Sequence, residues 1–463
     1  MLVGLIALVF GVSVGHQFVF DDTSLVVENE MVRLPLSRTP ELLAGTSGGI
    51  SYRPLRIFSY MVDYRIGGGL DPAVFHASNL VHHALATIAV YALASLTVGS
   101  FGGALAAAAL FAVHPRGSEA IVYVAGRRDL LCTLFVLLAL LCWCRLLGTR
   151  TRTPAAERAG ARPPGVMGLA VPLVGMVLFA VLAMAAKEMA VVLPVLALLL
   201  AIPLRHDVRV RGAGTPAWGA LGACVAALLG VGIWLYGGVV AGSLAKVGDG
   251  ALAPQPAFSL RVLGRYLRLA LWPSDLLADY RPFAFPLPVA SLDGWAIVAG
   301  LSLALMLVAA AVLLWRGSIA GAGLAWFVVA LLPVAQVVPY GEIVSEHNAY
   351  LALVGLALAA GRAVTVAARL QPRIVAATTV AIVAALGVRS HLRALDWQDS
   401  LSLWRATVAV APQSVRGQFN LAIALIAEGD LLGARTVLAG ARELAPLDRD
   451  MSGPPVSPEA GQA

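Results

Sequence analysis

The apolar positions of this chain fall into long unbroken runs rather than the short stripes of a soluble fold. Eleven runs approach the roughly 20 residues that carry a helix across a bilayer. They lie near 1–15, 73–97, 100–114, 129–147, 166–186, 189–204, 216–240, 293–315, 318–338, 348–368 and 374–391. The first, third and sixth are short. The first also lacks the basic region of a cleaved signal, and is read as a retained span short of a few residues at its start. Between the runs, Leu55, Ile57, Phe58, Met61 and Val62 with Arg56, Asp63 and Arg65 predict a helix lying along the membrane surface. The stretch 258–272 repeats that pattern, with Arg261, Arg265 and Arg268 on one face. That face either snorkels into water or binds phosphate. From Trp397 to Pro446 the pattern becomes that of soluble amphipathic helices. Counted back from Pro446, residues Ala441, Leu438, Ala434, Gly429, Leu425, Ala422 and Leu421 match the small and large positions of a tetratricopeptide repeat. Pro412, with Trp404 before it, fits the end of a preceding repeat. Such arrays need about three repeats to bury their own face, so this one must pack on the membrane domain, another chain or a partner. The expected fold is an all-α polytopic membrane protein: a transmembrane bundle over 1–392, a tetratricopeptide-like domain over 393–450 and a disordered tail over 451–463.

Composition agrees with the pattern. Hydrophobic residues make up 59% of the chain and charged residues 13%, more apolar surface than a soluble domain of this length could cover. The net charge of +7 comes mainly from arginine, since Lys187 and Lys246 are the only lysines. Its distribution gives the orientation. With the N-terminus cytoplasmic, the short inner loops hold Arg150, Arg152, Arg158, Arg162, Arg205, Arg209, Arg211, Arg316, Arg362, Arg369 and Arg373. Of the 26 acidic residues only Glu157 and Asp207 fall on that side. This is the positive-inside bias, so no nucleic-acid partner is needed to explain the charge. Chemistry is therefore expected on the external face, in 16–72, 242–292 and the part beyond about 392. Cys132, Cys142, Cys144 and Cys224 all lie in spans and read as packing residues, with neither disulfide nor zinc.

Several external clusters could carry that chemistry. Asp21-Asp22 follows the first span; mutual repulsion would raise one carboxyl and leave a general base, or the pair caps a turn with Thr23 and Ser24. His114-Pro115 and Glu119 precede Gly126-Arg127-Arg128-Asp129, and the absence of an HExxH motif disfavours a zinc protease. Lys187-Glu188 sits at the mouth of two spans, where charge is costly and by default marks a site. Asp279-Tyr280-Arg281, Glu342, Glu346-His347-Asn348 and Tyr350 complete the set. Together they supply acids, cations and aromatics for a saccharide and a phosphate.

The order of these motifs resembles one family. FDD, YRPL, FHASNLVHH, FAVHPRGSEAI, GRRDLL, AKE, LWPSDLLADY and SEHNAYL, followed by repeat helices, is similar to the transmembrane and tetratricopeptide repeat-containing O-mannosyltransferases of the GT-C glycosyltransferase fold. The resemblance runs from about residue 15 to 446. It implies an enzyme that moves mannose from a polyprenyl-phosphate donor to Ser or Thr hydroxyls of translocated proteins. Asp21 or Asp22 would be the base. Arg127 and Lys187, with Arg281 or His347, would hold the departing phosphate, and His114 and Glu119 would contact the sugar or a divalent cation. Asp129, Glu188, Asp279 and Glu346 belong to the same donor-site set. This chain departs from the family at Gly117, where a second His is usual, at Arg128 and in the Glu346–Ala352 stretch, and its repeat array is shorter. High Ala, Gly and Arg content with a short repeat array suggests a bacterium, so a bacterial inner-membrane location is expected, with site and repeat on the external side. The alternatives are a GT-C enzyme with an envelope glycolipid acceptor, a transporter, which should show internal repeats, and a scaffold using its repeat to hold partners.

Overall fold

The computed structural model describes residues 1–39, 53–148, 166–206, 215–248, 256–280, 292–337 and 342–449. Arg281, the basic loop from Arg150 to Arg162, Arg209 and Arg211, and the tail from 450 lie outside them. Among the described residues every regular element is a helix. All eleven apolar runs are helical. Six helices are long and apolar enough to cross a membrane: Pro72–Thr97, Val124–Leu146, Leu169–Ala186, Gly294–Trp315, Glu346–Ala367 and Pro372–Asp396. The other five runs form the shorter apolar helices Leu2–Gly15, Phe101–Ala112, Glu188–Leu204, Trp218–Trp234 and Ile319–Val334. This is an integral, multi-pass membrane protein.

Local sequence sets where the helices begin. Asp71, Ser100, Asp293 and Ser318 each accept a hydrogen bond from a backbone N–H in the first turn, a cap that typically contributes about 1 kcal/mol. Pro54, Pro72 and Pro372 stand at first helical positions, where no N–H is required. Burial then sorts the spans. The apolar stretch of Val124–Leu146 is 72% buried and central, whereas that of Pro372–Asp396 is 11% buried. The outward residues Leu301, Leu305, Val380 and Val388 present the apolar surface that lipid requires. Small residues let the inner helices close up. A Cβ on Gly323 would meet the Gly355 carbonyl oxygen at 2.3 Å, and one on Gly361 that of Gly103 at 2.5 Å. The helix from Glu346 is thereby pinned between Phe101–Ala112 and Ile319–Leu331, and its first residues are carried into the interior.

The two amphipathic stretches are helices, Pro54–Ile66 and Pro256–Leu271. Their charges do not all face water as the pattern suggests. Arg56 and Asp63 are buried, because Asp63 pairs with Arg127; Arg65 alone of the three is exposed. On the second helix Arg261 pairs with Asp293 at 3.0 Å, Arg268 pairs with Asp275, and Arg265 lies 5.7 Å over the Tyr280 ring. That arginine face meets protein.

The last span continues unbroken to Asp396, followed by helices Ser400–Val410, Val415–Ala427 and Leu431–Arg449. Gly429, with φ +82°, makes the turn between the last two. Leu421, Ala422, Leu425, Ala434 and Ala441 are buried, while Leu438 is partly open. These helices contact the membrane-spanning part of the chain. The Gln17 N–H donates to the Gln398 carbonyl at 2.9 Å, and Arg416 reaches Asp279 at 3.3 Å.

Candidate active site

Asp22 anchors the loop that follows the first helix. Its side chain is fully buried and accepts from the backbone N–H groups of Val19 at 3.2 Å and Ala125 at 2.8 Å. Its side chain makes no cap to the turn Thr23–Val27, whereas the Asp21 carbonyl accepts from the Ser24 hydroxyl at 3.2 Å and the Leu25 N–H at 2.9 Å. The bond to Ala125 depends on a tight corner: a Cβ on Gly126 would meet the Ala120 carbonyl at 2.6 Å. Burial pushes the Asp22 carboxyl up to about 7, against the downward pull of those N–H groups; repulsion from Asp21 is the smallest influence, contrary to the cause the sequence suggests. Asp21 is half-buried, and its carboxylate makes no hydrogen bond or ion pair with another described residue.

The Asp22 value gives a stability prediction. Since the native carboxyl sits above its ordinary 3.8, the protonated form favours the fold. That contribution is full below about pH 4 and is lost as pH rises through about 7. The melting temperature of wild type minus that of Asp22→Asn should therefore fall steadily across this window. A flat difference would mean that Asp22 titrates normally.

A chain of polar contacts lies behind this loop. Glu119 accepts from the His347 backbone N–H and pairs with its Nδ1, both at 2.9 Å. His347 Nε2 meets an Arg128 nitrogen at 2.7 Å, and Arg128 lies 3.5 Å from Asp129. Asp129 in turn accepts from Lys187 Nζ at 2.7 Å, and Lys187 also donates to Asn348 Oδ1 at 2.5 Å. Lys187 is extended at φ −161°, ψ 142°, which sends its neighbour Glu188 the other way, to Arg53 at 2.9 Å. Glu342 completes the group, 3.3 Å from His347 and 3.6 Å from Arg128.

Other sequence candidates face elsewhere. His114 Nδ1 accepts from the Arg116 N–H, and its Nε2 meets the Ala270 carbonyl at 2.9 Å, which ties a turn to the helix from Pro256. Arg127 is fully buried and spends its guanidinium on Asn79 Oδ1, Asp63 and the Phe75 carbonyl. Glu346 accepts from Tyr280 and Arg393, both at 3.0 Å. With Asp279, it belongs to the contacts that tie the end of the last span and the C-terminal helices to the bundle. Among the described residues no group of three or more His, Cys, Asp and Glu side chains is placed to hold a metal ion. His114, the sequence candidate for a cation contact with Glu119, has both ring nitrogens engaged, with the Arg116 N–H and the Ala270 carbonyl.

Two features are not visible in the motifs. The Tyr123 hydroxyl is buried without a hydrogen-bond partner among the described residues, within electrostatic reach of Asp21, Asp22, Arg128 and Glu119. Burial first, and then the two aspartates, push it well above its ordinary value and keep it a donor. It sits in an apolar-looking run, Ile121–Ala125, which gives no signal. Arg56 is the second. Burial first, then the charges of Arg53 and Arg128, hold its guanidinium down to about 10. The YRPL motif carries Arg53 but not the information that Arg53 and Arg128 act electrostatically on Arg56.

Comparison with known proteins places this arrangement among relatives. No family model matches the chain. Protein O-mannosyl-transferase TMTC4 of Homo sapiens is 32% identical over 170 residues, covering 31% of this chain and 22% of that protein. Protein O-mannosyl-transferase Tmtc2 of Drosophila melanogaster is 37% identical over 143 residues, covering 29% and 15%. A crystal structure of ArnT from Cupriavidus metallidurans bound to undecaprenyl phosphate aligns with 96% of this chain and 75% of its own at 14% identity, with a TM-score of 0.40. The matched stretch spans about a fifth or less of the length of the two O-mannosyl-transferases. Over about a third of its own length, then, the chain is similar to protein O-mannosyl-transferases, the family its motif order resembles.

Proposed function

We propose that this protein is a membrane glycosyltransferase that moves mannose from a polyprenyl-phosphate donor to Ser or Thr hydroxyls of proteins on the external face of a bacterial inner membrane. The observation that carries this reading is the division of labour between adjacent carboxylates. Asp22 is consumed in holding the loop, while Asp21, one residue away, is uncommitted and partly open. Asp21 would take the acceptor's proton as the hydroxyl oxygen attacks the anomeric carbon. The bond from that carbon to the phosphate oxygen breaks, and the polyprenyl phosphate leaves as an anion.

An anionic leaving group calls for fixed cations. Arg56 and Arg128 lie within electrostatic reach of Tyr123, and a phosphate beside Arg53, Arg56 and Arg128 would offset the burial that chiefly depresses Arg56 and the smaller repulsion from its two neighbours. Glu119 and His347 orient Arg128 from behind, Glu188 orients Arg53, and Lys187 offers its third N–H beyond Asp129 and Asn348. Arg127 then serves to hold the fold around the site. The names of the relatives support mannose and a protein acceptor, and the arginine asymmetry supports the external face.

The test is transfer by the full chain in liposomes, given radiolabelled polyprenyl-phosphate mannose, a Ser/Thr-rich peptide and, in parallel, a glycolipid acceptor. Label should appear on the peptide. Label on the glycolipid would replace the protein acceptor, and no donor consumption with either would overturn the reading.

A further inference from the structure

Phe20 is one of two non-glycine residues among those described whose backbone is left-handed, with φ +57°. A bulky side chain adopts that conformation only where its surroundings impose it. It is the residue immediately before Asp21, so its dihedral angles set the direction in which the Asp21 side chain leaves the loop. What surrounds Phe20 comes largely from the far end of the chain. The Trp404 ring packs edge-on at 5.5 Å, the Arg416 guanidinium lies 5.2 Å over the Phe20 ring, and Tyr123 closes the other side at 5.8 Å. Trp404 is 3% exposed. The Trp397 ring packs tilted against Tyr123 at 5.2 Å, and Arg393 lies over Trp397. The Gln17–Gln398 backbone bond joins these helices to the start of the loop, and the Arg416–Asp279 ion pair joins them to the stretch after the helix from Pro256.

We propose that the C-terminal helices are part of the catalytic apparatus: Trp404 and Arg416 are positioning residues that clamp Phe20 in its left-handed conformation and so aim the Asp21 carboxylate. The loop is then held at two points. Asp22 fastens it to the corner at Ala125 from the membrane domain, and Phe20 fastens it from the repeat-like helices. The proposal rests on the reading of Asp21 as the base. It gives these helices a purpose at the site, since one aromatic and one cation at their inner face are enough to hold a single turn.

The experiment compares wild type, Trp404→Ala, Trp404→Phe and Arg416→Met as full chains in lipid nanodiscs, with and without Asp21→Asn. Trp404→Ala should lower kcat about tenfold or more while the donor KM stays within about twofold. Trp404→Phe should restore most of the rate, and Arg416→Met should give a smaller loss of the same kind without opening the core. In the Asp21→Asn background, Trp404→Ala should cost nothing further, because both changes act through one carboxylate. An additive loss, or a rise in donor KM without a fall in kcat, would overturn the clamp. Hydrogen exchange reads the same loop without any transfer. The amides of Asp22 and Leu25, bonded to the carbonyls of Val19 and Asp21, should exchange at least about tenfold faster in Trp404→Ala, while amides of Arg127–Leu146 stay protected. If wild type transfers nothing, the glycosyltransferase reading fails and exchange alone decides the clamp. Unchanged exchange at these two amides would overturn it.

Discussion

Asp21→Asn is expected to lower transfer by about 10²–10⁴-fold, the usual range for losing a general base, while donor affinity and melting temperature remain near those of wild type. The second half of that expectation comes from the structure. The Asp21 carboxylate has no hydrogen bond or ion pair with another described residue, so the amide disturbs nothing it was holding. The same substitution at Asp22 is a different experiment. Both Asp22 oxygens accept backbone N–H groups, and an amide would turn its NH₂ against Val19 or Ala125 and displace the loop. Steady-state transfer with parallel thermal melts separates the two. Wild-type turnover in Asp21→Asn would remove the base from the mechanism, whatever Asp22 does.

The parts of this protein legible in its sequence are those that depend on local chemistry. The long apolar runs are helices, and so are the two amphipathic stretches and the segments beyond Trp397. Candidate site residues were legible as types, because charge beside an apolar run is costly and needs a reason. Their pairings were not. Lys187 beside Glu188 suggests a local pair, yet Lys187 answers to Asp129, 58 residues away, and Glu188 to Arg53, 135 residues away. Glu119 meets His347 across 228 residues. These partners are chosen by how helices pack, through contacts such as Gly323 on Gly355, and nothing in the spacing encodes that. The same holds for Arg127 and Arg128. Adjacent on one helix, they point to different faces, one into packing against Tyr60 and Asn79 and the other toward His347.

The pairing of Lys187 with Asp129 sets the terms of the last prediction. Lys187 is fully buried, so Lys187→Met leaves the buried Asp129 carboxylate with only its longer contact to Arg128, at 3.5 Å. Breaking a buried pair from one side costs about 3–5 kcal/mol, and the single variant should melt far below wild type for that reason alone. Lost activity in it says nothing about phosphate. Adding Asp129→Asn removes the charge that has lost its nearer partner and keeps the shape, so the double variant should recover most of the lost stability. Binding of unmodified polyprenyl phosphate to that refolded double variant is then the decisive measurement. If Lys187 gives its third N–H to the donor phosphate, affinity should be weaker by about 1.5–3 kcal/mol, the worth of a hydrogen bond to a charged group. Lys187→Arg should retain part of the affinity, because the charge survives in a different geometry, with some instability from the larger side chain in a closed space. Wild-type affinity in the stable double variant would make Lys187 a structural residue and leave the phosphate to Arg53, Arg56 and Arg128.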